Sequence, residues 1–155
     1  MNITVLDDGT ESNETRLGTV RDIQYAVEQC SISDECLVMA GDNVLNFSLQ
    51  GVVDFAVNSG TSCIMCYEEH SLPALQKTGM ITVDDKWRIL SYQEKPKEPE
   101  GYLAVPPFYY YRAKDLRRIP EALADGCGND APGSFASLAQ QKNSGTCVSD
   151  AGKKI

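Results

Sequence analysis

Short apolar runs alternate with amphipathic segments through the first half of the chain. The runs at residues 3–6 and 36–40 are continuous or rich in β-branched side chains and stop at turn-forming residues, which is typical of strands, and a third predicted strand covers 62–67. Residues 20–27 and 48–59, which lie between them, repeat apolar side chains at helical spacing. Alternating strands and helices predict an α/β fold with a mainly parallel sheet flanked by helices. The uninterrupted run at 36–40 further predicts a strand buried on both faces.

The second half of the chain has a different pattern. Two apolar stretches, 79–83 and 88–92, flank a polar tip and predict a β-hairpin inserted into the α/β arrangement. After a loop, residues 103–111 predict an aromatic strand that contains two prolines. Residues 114–123 predict a helix, and the composition beyond them becomes small and polar.

Length, composition and charge narrow the classes of protein. A chain of 155 residues can form one domain with a buried core, and 42% apolar and 23% charged residues are ordinary values for a globular protein. We expect this domain to span 1–140, followed by a polar tail over 141–155. The net charge of −8 disfavours nucleic acid and anionic membranes as partners. No membrane-length apolar run or signal peptide is recognisable, so we expect a cytoplasmic protein.

Two short motifs carry candidate chemistry. Asp42 follows the apolar run at 36–40, and a carboxylate at the end of a sheet strand can hold Mg²⁺ together with substrate phosphates. Glu94 and Lys95 end the hairpin, where the acid can accept hydrogen bonds from sugar hydroxyls and the ammonium can meet a phosphate. Each motif also has a plain structural interpretation, a Gly-Asp-Asn turn in the first case and an exposed surface pair in the second.

Cysteine and histidine usage gives little support to metal or redox chemistry. Six scattered cysteines without a signal peptide do not form the pattern of a disulfide scaffold. Cys63 and Cys66 have the spacing of a zinc or redox pair, but residues three positions apart on a strand point to opposite faces. The single histidine, His70, lies in a polar stretch. A zinc or redox protein is therefore only a minor alternative.

Four short motifs occur in a fixed order: RLGTV at 16–20, LVMAGDN at 37–43, GMI at 79–81 and EKP at 94–96. In this order and at these intervals they resemble the sugar-phosphate nucleotidyltransferase family, of which glucose-1-phosphate thymidylyltransferases are typical members. The resemblance extends over residues 3–135 and implies a Rossmann-like nucleotidyltransferase domain of sugar nucleotide biosynthesis. In this family a sugar 1-phosphate attacks the α-phosphorus of a nucleoside triphosphate in line, and pyrophosphate leaves.

The resemblance also implies a set of substrate-binding residues. Gly18 lets the backbone approach the nucleotide base, and the backbone of Gly79 meets the sugar. Glu94 binds sugar hydroxyls, Lys95 binds the sugar phosphate, and Val105 lies near the sugar. The implied substrate-binding set is Gly18, Asn43, Gly79, Glu94, Lys95 and Val105.

Metal and catalytic roles follow from the same resemblance. Asp42 is implied as the ligand of a Mg²⁺ cofactor, and Asp42 and Lys95 as the catalytic residues. The chain departs from the family where Pro106 and Pro107 replace a frequent glycine, a change that can reshape the sugar pocket. A second metal-binding aspartate is not identifiable.

The family's N-terminal glycine-rich loop, which carries the triphosphate contacts, is also not found in this sequence. We therefore expect a truncated nucleotidyltransferase-like domain that is weakly active or inactive alone. A partial sheet exposes an apolar edge, which predicts self-association, with a homodimer as one form. The alternative is a non-catalytic module that binds a sugar phosphate or a nucleotide, or that serves as an assembly partner.

Overall fold

The computed structural model describes residues 2–130, 132–133, 135 and 147–150. The helices with defined bounds are α1 (Thr19–Gln29), α2 (Gln50–Ser59), α3 (Leu72–Leu75), α4 (Ala113–Leu116) and α5 (Ile119–Ala124). The described strands are β1 (Cys36–Met39), β2 (Cys63–Glu68), β3 (Gly79–Val83), β4 (Ile89–Glu94), β5 (Leu103–Val105), β6 (Phe108–Tyr111) and β7 (Cys147–Asp150). β7 falls in the segment predicted as a polar tail, of which 141–146 and 151–155 lie outside the described residues.

The strand order is β1-β6-β2-β5-β3-β4, and β7 pairs with β2. Only the β2–β7 pairing is parallel among the described strands; the others are antiparallel, so the prediction of a mainly parallel sheet is wrong. β1 and β2 do run in the same direction, as the strand–helix alternation predicts. However, β6 is inserted between them and pairs antiparallel with both.

The predicted first strand is not formed. Residues 3–6 are irregular in the structure, and the side chains of Ile3 and Val5 are 75% and 88% exposed. A β-branched run becomes a strand only when a neighbouring strand supplies hydrogen bonds, and none of the described strands pairs with this one. Among the described strands β1 lies at the edge of the sheet and is half-buried, so the prediction that it is buried on both faces is also wrong.

The two helices and the hairpin predicted in the first hundred residues are confirmed, whereas the short α3 was not predicted. α1 buries Val20 and Ile23 on the predicted apolar face. Ser48 accepts a hydrogen bond from the amide of Gln50 at 3.1 Å at the start of α2. α2 ends at Gly60, whose φ of 67° is the left-handed conformation typical of a glycine at a helix C-terminus. β3 and β4 form the predicted antiparallel hairpin.

Prolines divide two elements that the periodicity predicts as continuous. The aromatic strand is split into β5 and β6 at Pro106 and Pro107, because proline has no amide hydrogen to donate to a neighbouring strand. The predicted helix at 114–123 is split into α4 and α5, and Pro120 lies in the first turn of α5. Proline is tolerated in a first turn but not inside a helix, which explains the division.

The core lies on both faces of the sheet. One face packs against α1 and α5, and its cluster includes Ile64 and Cys66 from β2. The other face packs against α2, where Cys63 and Met65 contact separate small clusters. Side chains of β2 therefore alternate between the faces, which confirms that Cys63 and Cys66 point in opposite directions. No helix in the described part of the chain has the length and apolar character needed to cross a membrane.

Candidate functional site

A cavity of about 280 Å³ opens where β1 and β3 separate. β5 and β6 both pair with β2 along one edge. Along the other edge, β6 pairs with β1 and β5 pairs with β3. The break at Pro106 and Pro107 thus lies between two diverging strands, and the cavity occupies the space between them.

The sheet register brings together three of the predicted substrate-binding residues. Gly79 begins β3 and is paired on one side with Glu94 of β4. On its other side it is paired with Val105 of β5. All three residues line the cavity, as does Lys95, which directly follows β4. Strand pairing therefore unites positions that are up to 26 residues apart in the sequence.

Lys95 has an unusual backbone conformation at the cavity rim. Its φ is 45°, a left-handed value that costs a residue with a side chain about 1–2 kcal/mol. The amide of Lys95 donates to the carbonyl oxygen of Thr78 at 3.2 Å, which ties this conformation to the start of β3. Its ammonium lies 3.7 Å from Glu94 Oε1, and its side chain is 65% exposed. The lysine is thus directed by a strained backbone and is accessible to an anion.

Glu94 is held from its other side by Tyr92, a residue that sequence reasoning missed. The hydroxyl of Tyr92 donates a hydrogen bond to Glu94 Oε2. Burial, together with this hydrogen bond, raises the pKa of Tyr92 far above its usual range, so the phenol remains a donor. The signal was present in the sequence, because residues two apart on a strand share a face.

Further polar residues line the cavity that no motif indicated. Lys77 also lines the cavity and makes no ion pair with any described residue. Asp130 lies at the opposite, α1 side and is paired with the guanidinium of Arg16. Tyr109 contributes an aromatic wall, and burial raises the pKa of its phenol. The lining therefore combines cations with hydrogen-bonding groups on an apolar floor.

Gly18 does not line the cavity but makes a close contact beside it. Its φ is 90°, and a β-carbon there would lie 2.8 Å from Asn129 Cβ and 2.9 Å from Asp130 Oδ1. The carbonyl of Asn129 also accepts the amide of Val20 at 2.7 Å. Within the chain, the glycine is thus required by the loop at 129–130, which packs against the start of α1. Its role toward a nucleotide base stays a prediction.

Asp42 and Asn43 lie apart from the other predicted residues. Both are exposed in the turn after β1, and neither lines the cavity. The side-chain amide of Asn43 donates from Nδ2 to Asp42 Oδ1 at 2.8 Å, and no described residue donates a hydrogen bond to Oδ2. Within the described ranges, no three acidic, histidine or cysteine side chains form a cluster able to hold a metal ion. The donor set therefore fits only a cation that takes its remaining ligands from a phosphate and water.

Comparison with known proteins places these features in a family context. The sequence model of the family described as nucleotidyl transferase matches residues 4–133. A glucose-1-phosphate adenylyltransferase of Thermotoga neapolitana is 24% identical over 113 residues, which cover 72% of this chain and 27% of that protein. One from Shewanella sp. (strain ANA-3) is 34% identical over 65 residues, 41% of this chain and 16% of that protein.

A solved structure supports the fold. A Bacillus anthracis protein assigned as a glucose-1-phosphate thymidylyltransferase, determined in complex with sucrose, superposes with a TM-score of 0.69 at 18% identity. The match covers 86% of this chain and 52% of that chain. The chain thus spans about half of this structural neighbour and about a quarter of the Thermotoga relative.

Proposed function

The chain belongs to the nucleotidyl transferase family, and from this membership we propose that its cavity binds the sugar 1-phosphate of a nucleotidyl-transfer reaction. The observation that carries the proposal is the register of three strand ends, which aligns Gly79 with Glu94 and Val105 beside Lys95. The relatives named above are glucose-1-phosphate adenylyltransferases, and glucose 1-phosphate is therefore the first ligand to test.

The charges of the cavity suit a phosphorylated sugar. Lys95 and Lys77 supply two ammonium groups for the phosphate, against an overall net charge of −8. Glu94 is acceptor-only when ionised, so it can accept hydrogen bonds from sugar hydroxyls. Within one cavity, the phosphate of the ligand would thus contact the lysines, and its sugar hydroxyls would contact Glu94.

In the proposed reaction, the sugar phosphate attacks the α-phosphorus of a nucleoside triphosphate and pyrophosphate leaves. Lys95 would hold the attacking phosphate in place, and positioning of this kind supplies much of the catalysis of phosphate transfer. Asp42 would hold Mg²⁺, which would offset the negative charge of the triphosphate. Asp42 lies beyond Ala40, a residue that does line the cavity.

We expect little or no turnover by this chain alone. The sequence contains no recognisable glycine-rich loop for the triphosphate, and its described residues contribute one exposed aspartate, Asp42, to the implied metal site. A non-catalytic module that binds a sugar phosphate is the second candidate function. The exposed Glu94–Lys95 pair in an accessible cavity supports both the transferase and the binding module. A measurement of turnover distinguishes the two candidate functions.

Self-association and a cytoplasmic location stay predictions. The outer edge of β1 has no strand partner among the described residues, and Ile3 and Val5 are largely exposed. Unpaired strand edges of this kind favour pairing with another chain. Size-exclusion chromatography with light scattering at micromolar concentration tests this, and a clean monomer would contradict it.

Two measurements test the proposed function. Calorimetric titration with glucose 1-phosphate should show binding that Lys95→Ala weakens strongly, whereas the exposed hairpin-tip variant Lys86→Ala should leave it unchanged. A pyrophosphate-release assay with each of the four common nucleoside triphosphates then decides between catalysis and binding alone. Absence of sugar-phosphate binding would contradict both candidates.

A further inference from the structure

The partly buried aromatic ring of Tyr92 packs against the core while its hydroxyl reaches the cavity. The ring packs against the main hydrophobic cluster, which includes Ile81 and Tyr109. The same residue lines the cavity, with its hydroxyl above Gly79, where no side chain occupies the space. Because a packed ring has little rotational freedom, the fold fixes the position of this hydroxyl.

Glu94, by contrast, has a flexible side chain that is 38% exposed. Its Oε2 accepts the hydrogen bond from Tyr92, and its Oε1 lies 3.7 Å from the ammonium of Lys95. An ionised carboxylate offers about four acceptor positions, so these two neighbours leave positions open for further donors. The orientation of the open positions is set by the anchored phenol.

We propose that Tyr92 is a positioning residue whose hydroxyl orients the carboxylate of Glu94 toward the hydroxyl groups of a bound sugar phosphate. This role rests on the proposed function, since it assigns Glu94 to the sugar end of the ligand. This role also divides recognition of the ligand between two groups of residues. Recognition of the sugar depends on the Tyr92–Glu94 pair, and recognition of the phosphate depends on the lysines.

Tyr92→Phe is the variant that tests this role, because it removes only the hydroxyl and keeps the packed ring. We expect it to weaken glucose 1-phosphate binding about tenfold, the scale of one hydrogen bond to a charged group. Inorganic phosphate should contact only the cationic part of the site, so its affinity should stay within about twofold. The matched control is Tyr102→Phe, since Tyr102 is 60% exposed and lines a different cavity.

A double-mutant cycle with Glu94→Gln distinguishes positioning from stability. If Tyr92 acts through Glu94, adding Tyr92→Phe to Glu94→Gln should weaken glucose 1-phosphate binding by less than about twofold more. A structural role for the phenol would instead reduce the affinities for glucose 1-phosphate and phosphate together. That result, or fully additive losses in the cycle, would overturn the role.

The remaining outcomes are also decisive. Unchanged glucose 1-phosphate affinity in Tyr92→Phe would overturn the positioning role and leave the proposed function standing. An unmodified chain that binds inorganic phosphate but not glucose 1-phosphate, or neither, would overturn the proposed function and this role with it.

Discussion

A β-carbon added to Gly79 would lie 2.5 Å from the hydroxyl oxygen of Tyr92 and 3.0 Å from the ring carbon that carries it. Such approaches are closer than van der Waals contact allows. Glycine at the start of β3 is therefore required by the position of the tyrosine on the neighbouring strand. The GMI motif and the hairpin that ends in EKP thus depend on each other through this contact.

Gly79→Ala should destabilise the fold and displace Tyr92. Overpacking of this kind costs about 1–3 kcal/mol, which a chemical denaturation series would measure. Removing the hydroxyl relieves the closer of the two contacts, so the same substitution should cost less in a Tyr92→Phe background. Gly101→Ala is the control, because its nearest neighbour would lie 3.9 Å away. Equal effects at both glycines would contradict this explanation.

Lys95→Gly should separate stability from binding. Glycine adopts the left-handed conformation at φ 45° without steric strain, which stabilises the fold. The greater entropy of glycine in the unfolded state offsets part of this effect, so we expect the free energy of unfolding to rise by about 0.5–1 kcal/mol. The same variant lacks the ammonium and should lose most affinity for glucose 1-phosphate. Thermal denaturation and calorimetry measure the two effects. A destabilised variant would contradict the assigned strain, and retained affinity would contradict the role of the lysine.

A buried polar corner, formed by Ser62, Asp115 and the backbone amide of Arg112, predicts a larger loss of stability when one of its side chains is removed. Ser62 Oγ donates to Asp115 Oδ2 at 2.5 Å and accepts the amide of Arg112 at 2.9 Å, and both Ser62 and Asp115 are under 5% exposed. Ser62→Ala leaves a buried carboxylate and an amide short of partners, at a cost of about 2–3 kcal/mol. The exposed Ser33→Ala should change stability by less than about 0.5 kcal/mol. A comparably small effect at Ser62 would contradict the corner's importance.

Asp84 at the hairpin tip is expected to make a pH-dependent contribution to the stability of the fold. Hydrogen bonds from the amide and the side chain of Arg88 lower the pKa of Asp84. Because the pKa of Asp84 is lower in the folded state than in the unfolded state, this carboxylate stabilises the fold at pH values above its unfolded-state pKa, about 3.9. The stabilisation is lost as the pH falls through the folded-state pKa. Asp84→Asn should therefore lower the melting temperature near neutral pH, with a difference that disappears in acid.

The neighbouring carboxylate supplies the control for this effect. Asp85 is exposed and has no hydrogen bond or ion pair within the part of the chain described by the structure. Asp85→Asn should show no such pH-dependent difference. A difference between Asp84→Asn and the unmodified chain that persists in strong acid would show that charge is not the cause.

The local elements could be predicted because their signals are local. Apolar spacing along α1, and the polar tip between β3 and β4, are contained in short stretches of sequence. Strand pairing is not local: nothing in the run at 36–40 indicates that β6, about 70 residues later, pairs with it. The same limit explains the error at residues 3–6, where composition favours a strand but no described partner is present.

The candidate site divides in a similar way. Glu94 and Lys95 could be predicted because they form one motif, and the register of β3 then explains why Gly79 accompanies them. The close approach of Asn129 to Gly18 could not be predicted, because it joins segments about 110 residues apart. Lys77 gave no motif signal, and its relevance depends on the shape of the cavity.

The location of sugar-phosphate binding can be measured directly by titrating glucose 1-phosphate into the isotopically labelled chain and following its backbone amide NMR signals. We expect the largest shifts at Gly79, Lys95 and Val105, which line the cavity between β1 and β3. His70 and Tyr102, which line a separate cavity, should be unaffected. Shifts confined to that second cavity, or no shifts at saturating ligand, would contradict the proposed site.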